Sequence, residues 1–320
     1  MTDRPLATII IRTYNRATRI SRAIDSALAQ DWTPREIIVV DDGSADNTRE
    51  VVEAYAARGV RYVWQKNQGV TGARFTGLAE AKGDFIALLD SDDTWQPEYL
   101  GTLIRLMEKH GSSVGFCNYE RVEVLDYDKT APSNVENSSK MLPYLNHPHE
   151  QEFYLPPAEM RAIFLDSPTA PSSCTVLRAR DIATRYRDKI PWDDWLMLLE
   201  MILTKNVSGS FFARKLLTKY NYDDGICEGG LTKFPYYRQV VAGLDVFLRN
   251  FRGQLTPAEK APWIAMITEY AFDLGHLEAS AGNLRKSLHY YGIAFRESPS
   301  LKTGLAAAKA CGRSLTRKTA

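Results

Sequence analysis

Ile37-Ile38-Val39-Val40 runs straight into Asp41-Asp42-Gly43-Ser44, and Phe85-Ile86-Ala87-Leu88-Leu89 runs into Asp90-Ser91-Asp92-Asp93. Each is a short apolar run without polar alternation, the pattern of a strand buried on both faces, and each ends in carboxylates. Ala7–Ile11 and Val60–Trp64 are runs of the same kind. Between the runs, apolar residues recur at helical spacing. Ile20, Ala23, Ile24, Ala27 and Leu28 form one set, and Val51, Val52, Tyr55 and Ala56 a second, with Asp46 or Ser44 as its N-cap. Residues 71–81 and 97–110 read as helices too, the latter with Pro97 near its start. This alternation predicts a parallel sheet covered by helices on both sides. Ligands of such sheets bind outside the carboxyl ends of the strands, so both acidic clusters face one crevice. Asp and Gly also end strands simply as turn formers, but five carboxylates on one rim repel each other unless a cation or hydrogen-bond donors receive them.

The chain has 320 residues, 44% of them hydrophobic, enough for a sizeable core and about two domains. Lys and Arg (40) nearly balance Asp and Glu (39), and a net charge of +1 offers no electrostatic footprint for nucleic acid. Cys117, Cys174, Cys227 and Cys311 show no Cys-x-x-Cys spacing, so neither a zinc site nor a redox motif is indicated, and isolated thiols fit a reducing compartment. Residues 1–5 lack the apolar core of a signal peptide, and no apolar run approaches the ~20 residues that span a bilayer. The expectation is a cytoplasmic protein, at most peripheral at the inner face of a membrane.

Beyond Val114 the alternation loosens. Strand is expected at 114–125, a long polar loop at 126–157, strand at 172–177, helix at 194–203 and strand at 207–212. Helices follow from Thr232, through Phe247–Phe251, Ile264–Leu277 and Leu284–Phe295. A boundary near Gly229-Gly230 then divides a domain of residues 1–230 from a helical region of 231–320. The first domain would have two halves that meet at about residue 110. The helical region is expected to serve as a platform for acceptor, partner or membrane.

Two carboxylates at Asp-x-Asp or Asp-Asp spacing suit a hard divalent ion that also binds substrate phosphates. Asp92 and Asp93 are the candidate ligands, with Asp90 in support. No His/Cys set accompanies them, which favours Mg2+ or Mn2+ over zinc. His147 and His149 in the polar loop are too few for a site of their own. Gly69-x-x-Gly72 lacks the Lys-Ser/Thr of a P-loop. Asp193 and Asp194 open a helix, where a carboxylate is a good cap or a general base. Trp192 and Trp195 flank them, as core residues or as a stacking face for a ligand. Lys302, Lys309, Arg313, Arg317 and Lys318 form a basic tail, solvated or in contact with anionic lipid.

In order along the chain stand Ile10-Ile11-Arg12-Thr13-Tyr14-Asn15-Arg16, Val40-Asp41-Asp42-Gly43-Ser44, Asn67-Gln68-Gly69, Ala73-Arg74 and Leu89-Asp90-Ser91-Asp92-Asp93. This series resembles the family 2 inverting glycosyltransferases of GT-A fold over roughly residues 6–100, and more loosely to about 220. The resemblance implies a Rossmann-like nucleotide-diphospho-sugar transferase fold: a mixed, mainly parallel sheet flanked by helices, here followed by a C-terminal all-helical region. It implies that Thr13, Tyr14 and Asn15 approach the nucleotide, and that Asp42, with Asp41 beside it, bonds the base. Arg74 would lie near base or diphosphate, Asp92 at the ribose and Asp93 on the metal. The family usually has Asn after that arginine; Phe75 stands here. Pro191-Trp192-Asp193-Asp194 matches the family's acidic pair, which makes Asp194 the base, with Asp193 the first alternative. The function implied is transfer of one sugar, from a UDP-sugar by preference, to a carbohydrate or lipid-linked glycan hydroxyl in bacterial surface-polysaccharide or glycan synthesis. The Gln-x-x-Arg-Trp signature of processive synthases is missing. A sugar nucleotidyltransferase would carry a Gly-rich Arg-Lys loop where Arg12-Thr13-Tyr14-Asn15 stands, and a binding module without catalysis would not need complete carboxylate clusters.

Overall fold

The computed structural model describes residues 4–122, 135, 138–147, 149–166, 170–182, 193–205, 207–221, 233–300, 304–306 and 308. Two compact units divide the chain, Met1–Asp224 and Gly225–Ala320. Gly229-Gly230, Trp192, Cys227, Cys311 and the five basic tail residues lie outside the described residues.

Among the described residues the first unit is built on a nine-stranded mixed sheet. Its N-terminal half is parallel, with β1 (Ala7–Thr13) at the centre, β2 (Arg35–Asp41) and then β3 (Val60–Trp64) on one side, and β4 (Phe85–Asp90) on the other. Every residue of β1 is buried. One face of these strands (Ile9, Ile11, Ile37, Val39, Ala87 and Leu89) shares a core with Ile20, Ala23, Ile24 and Ala27 of α1 (Ile20–Leu28), with Val52 of α2 (Thr48–Glu53), and with Leu103, Ile104 and Met107 of α4 (Tyr99–His110). The opposite face meets α3 (Gly69–Glu80), where Gly77 lies so close over Ile10 that any Cβ would overlap Ile10 Cγ2. The two-sided burial read from the apolar runs is therefore what β1, β2 and β4 have.

Beyond β4 the order runs through β8 (Thr175–Arg178), β6 (Val114–Val122) and β9 (Ser210–Asn221) to β5 (Thr94–Trp95), with β7 (Glu152–Leu155) paired to β9. β8 runs antiparallel to both β4 and β6, and β9 parallel to β6. Three expectations need correction. Of the strand expected at 172–177, Ser172–Cys174 winds as a 3-10 turn and only Thr175 onward joins the sheet. The serine side chains there bond groups off the strand ladder, which holds the backbone in a turn. The polar loop expected at 126–157 contains, where described, a single helical turn at Leu142–Leu145 and the strand β7. Phe153 and Leu155 point in and Glu152 and Tyr154 out, an alternation too short to stand out in sequence. The strand expected to stop at Phe212 continues to Asn221. Helices α5 (Pro157–Asp166) and α6 (Asp193–Thr204) complete the unit.

The second unit is helical: α7 (Lys233–Phe251), α8 (Pro257–Ser280) and α9 (Leu284–Glu297). A capping box starts α8, with the Glu259 amide donating to Thr256 Oγ1 (3.3 Å) and the Thr256 amide to Glu259 Oε2 (2.8 Å). Gly275 lets the Tyr291 ring of α9 lie against α8. Among the described residues no helix is long and apolar enough to cross a membrane.

The tight α3–β1 contact yields a stability prediction. Gly77→Val should destabilise the protein by roughly 1–3 kcal/mol through overpacking against Ile10, lowering the urea midpoint at constant slope. An unchanged midpoint would show that α3 can lift from the sheet at no cost.

Candidate active site

Strand register sets the site. Thr13 stands opposite Asp41 and Arg12 opposite Asp90, so β2, β1 and β4 end on one rim. The first acidic pair turns inward from it. Asp41 accepts from the Ser44 amide (2.8 Å) and the Tyr62 hydroxyl (2.7 Å). Burial, and then this bond to Asp41, pushes the Tyr62 phenol well above its ordinary pKa. Asp42 accepts from Gln65 Nε2 (2.6 Å) and from the amides of Gln68 and Gly69 (both 2.7 Å). Those amides open α3, so Asp42 occupies the anion position of that helix start. This is why Gly69-x-x-Gly72 is no phosphate loop. Gly43 between the two loops has φ +83°, and a Cβ there would come within 2.9 Å of the Asn67 amide nitrogen. Asp41 and Asp42 are 1% and 4% exposed.

The loop after β1 is stitched to the loop after β2. Asn15 adopts φ 52°, a conformation Asn tolerates. Its amide donates to Ser44 Oγ (2.8 Å), and its Oδ1 accepts from the Ala45 amide (2.8 Å). Between these anchors Tyr14 is exposed, while the Thr13 hydroxyl is buried with no hydrogen-bond partner among the described residues. Arg74 is fully buried in α3, its guanidinium 5.4 Å from the Phe75 ring.

The second acidic cluster divides. Asp93 is 1% exposed, with its amide bonded to the Asp90 carbonyl (3.1 Å). It lies beside Cys174, whose thiol is pushed well up by burial, by Cys117 and by the Asp93 charge. The expected metal ligand Asp93 is thus buried at the end of β4, against Cys174. Asp92 lies 3.7 Å from an Arg16 nitrogen. Burial and the like charge of Asp90 push the Asp92 carboxyl up, against the opposing pull of Arg16. Asp90 pairs with the buried Arg12 and accepts from Ser172 Oγ (3.0 Å).

Ser172 and Ser173 are the residues that reading the sequence missed. Ser172 also accepts from Arg12 Nη2 (3.1 Å), and its amide donates to Asp194 Oδ2 (3.1 Å). Ser173 Oγ accepts from the Asp90 amide (3.0 Å), and its carbonyl from Trp95 Nε1 (2.6 Å) and Thr218 Oγ1 (2.9 Å). The 3-10 turn thereby brings Asp194, at the start of α6, to the rim more than a hundred residues away in sequence. Asp194 Oδ1 accepts from the Trp195 amide (2.9 Å). Trp195 is a core residue, 2% exposed, with its indole bonded to the Phe164 carbonyl (2.8 Å). Asp193 opens the helix backbone; its side chain is outside the described residues.

The carboxylates of Asp92 and Asp93, beside Asp90, are oxygen donors of the kind a hard divalent ion takes. Among the described residues no group of three or more His, Cys, Asp or Glu assembles as a metal site. Magnesium-type sites need only one or two protein carboxylates, with substrate phosphate and water completing the shell. The crowding that raises the Asp92 carboxyl is what a cation would relieve.

Residues 8–185 match the family model described as glycosyl transferase family 2. The chain belongs to glycosyl transferase family 2. Among similar proteins of this kind, the succinoglycan biosynthesis protein ExoO of Rhizobium meliloti is 40% identical over 121 residues, 38% of this chain and 35% of that protein. The UDP-Glc:α-D-GlcNAc-diphosphoundecaprenol β-1,3-glucosyltransferase WfgD of Escherichia coli is 40% identical over 119 residues, 37% of this chain and 47% of that protein. The chain thus spans less than half the length of either relative. The crystal structure of S. aureus TarS 1–349 in complex with UDP-GlcNAc superposes with a TM-score of 0.58 at 18% identity, over 96% of this chain and 89% of that one. At that identity the likeness shows the fold, a GT-A mixed α/β sheet with flanking helices.

In this family 2 chain Asp42 should act as a structural anchor. Asp42→Ala strands the Gln65 side-chain amide and two backbone amides at once, and should cost about 1–3 kcal/mol. Thermal unfolding of the variant checks this; an unchanged midpoint would mean that the start of α3 is held by something else.

Proposed function

We propose that this family 2 enzyme transfers a single sugar, with inversion, from a nucleotide-diphosphate sugar, UDP-sugar favoured, to a hydroxyl of a carbohydrate or lipid-linked glycan. The observation that carries the reading is the Ser172 turn, which links the carboxylate of Asp194 to the donor-side carboxylate Asp90. The relatives' names support the setting, since ExoO belongs to succinoglycan synthesis and WfgD uses UDP-Glc and a diphosphoundecaprenol-linked sugar. Bacterial surface-polysaccharide or glycan synthesis follows as the pathway class. A cytoplasmic enzyme meeting a lipid-linked acceptor at the inner face of the membrane follows as the location.

Thr13, with its unpartnered hydroxyl, exposed Tyr14 and Asn15 line the place for the nucleoside, and Asp41, Asp42 and Arg74 support it from within. Asp93 and Asp92, with Asp90 in support, would hold Mg2+ or Mn2+, which when bound neutralises the diphosphate and makes it a better leaving group. Asp194 takes the proton from the acceptor hydroxyl. The acceptor oxygen then forms its bond to the anomeric carbon as the bond from that carbon to the diphosphate oxygen breaks, and the electron pair leaves with the nucleotide. Attack opposite the leaving group inverts the centre.

A survey of UDP-, GDP- and dTDP-sugars, with release of the nucleoside diphosphate as readout, tests the activity class. Turnover should require a divalent cation, and full turnover in excess EDTA would remove the metal from the account. Asp194→Asn should lower turnover by roughly 10²–10⁴-fold with near-normal nucleotide affinity. Asp92→Asn should weaken metal-dependent nucleotide binding as well as turnover. A folded Asp194→Asn enzyme that loses nucleotide binding as badly as Asp92→Asn would place Asp194 in the donor site instead.

A further inference from the structure

We infer that Ser172 is a positioning residue: it tethers the general base to the donor-side carboxylate and so fixes the distance across which acceptor and donor react. The inference rests on the reading of Asp194 as base. Ser172 is 4% exposed, and its two polar groups point to opposite halves of the reaction. Its hydroxyl donates to Asp90 Oδ2 (3.0 Å) while accepting from Arg12 Nη2 (3.1 Å), so the hydroxyl has a fixed orientation. Its amide donates to Asp194 Oδ2 (3.1 Å). The turn that carries it cannot drift, because Ser173 is pinned from β4, from Trp95 and from Thr218 of β9. Asp194 stands near the start of α6, where its Oδ1 accepts from the Trp195 amide (2.9 Å) and its Oδ2 is left to the Ser172 turn. The tether therefore supplies a fixed link between the two carboxylates, and a base displaced by about 1 Å from its proton costs on the order of 10²-fold in rate.

The tether can be cut at either end. Ser172→Ala removes the bond to Asp90 and keeps the amide. Ser172→Pro removes the bond to Asp194 as well. Proline is compatible with the backbone there, since Pro171 has φ −58° and ψ 157°, the conformation required before a proline, and Ser172 opens its turn. The full-length variants, alone and combined with Asp194→Asn, are compared for turnover of the nucleotide sugar found in the donor survey, with water as acceptor, and for UDP affinity in the presence of Mn2+. Both single variants should lose about 10- to 100-fold in kcat with UDP affinity within about twofold, and neither should lower kcat further in the Asp194→Asn background, as expected of residues acting as one unit. Wild-type kcat in folded Ser172→Ala, or losses that multiply with that of Asp194→Asn, would overturn the tether alone. Wild-type turnover in Asp194→Asn would overturn the base assignment and the tether with it. If Ser172→Pro fails to fold, Ser172→Ala and its double variant decide the question by the same criteria.

Discussion

The rest of the site depends on a buried guanidinium at the end of the central strand. Arg12 is only 7% exposed, and a charge so placed must be met by an opposite charge or it destabilises the fold. Parallel register puts Asp90 directly across from it on β4. That pairing holds one oxygen of Asp90 on Arg12, leaves the other to accept from Ser172, and makes the end of β4 a fixed reference for the turn that carries Asp92 and Asp93. Without Arg12 the acidic cluster would be a set of repelling charges at a loop tip.

A division of labour among the carboxylates follows. Asp41, Asp42 and Asp93 are sealed into the protein, and the first two hold Ser44, Tyr62 and the start of α3 in place. Under the proposed function Asp92 and Asp194 carry the chemistry; Asp92 lies near Arg16, and Asp194 accepts from the Ser172 turn. Both kinds of aspartate follow strand ends or open helices, and sequence position alone does not separate them. Burial and hydrogen-bond partners do.

How far the sequence was legible follows from the same distinction. The parallel half of the sheet was readable because β1, β2, β3 and β4 are short, mainly apolar runs, because β2 and β4 end in carboxylates, and because family motifs follow β1, β2 and β4. The second half was not. β7 is four residues long, β5 is two, and Ser172–Cys174 looks like the start of a strand until the partners of its serines are known. Asp92 and Asp93 are adjacent in sequence and differ in their neighbours, Arg16 for the one and Cys174 for the other. Ser172 carries no motif: a buried serine is recognised as a link only when the groups on either side of it are located.

The stereochemistry of the product tests the central claim most directly, that Asp194 and the donor-side carboxylates lie on opposite faces of one anomeric carbon. Proton NMR of the sugar first released to water from an α-linked nucleotide donor, recorded before mutarotation, reads it. The account predicts the β-anomer as the initial product. Initial appearance of the α-anomer would contradict a single displacement, and with it the role assigned to Asp194.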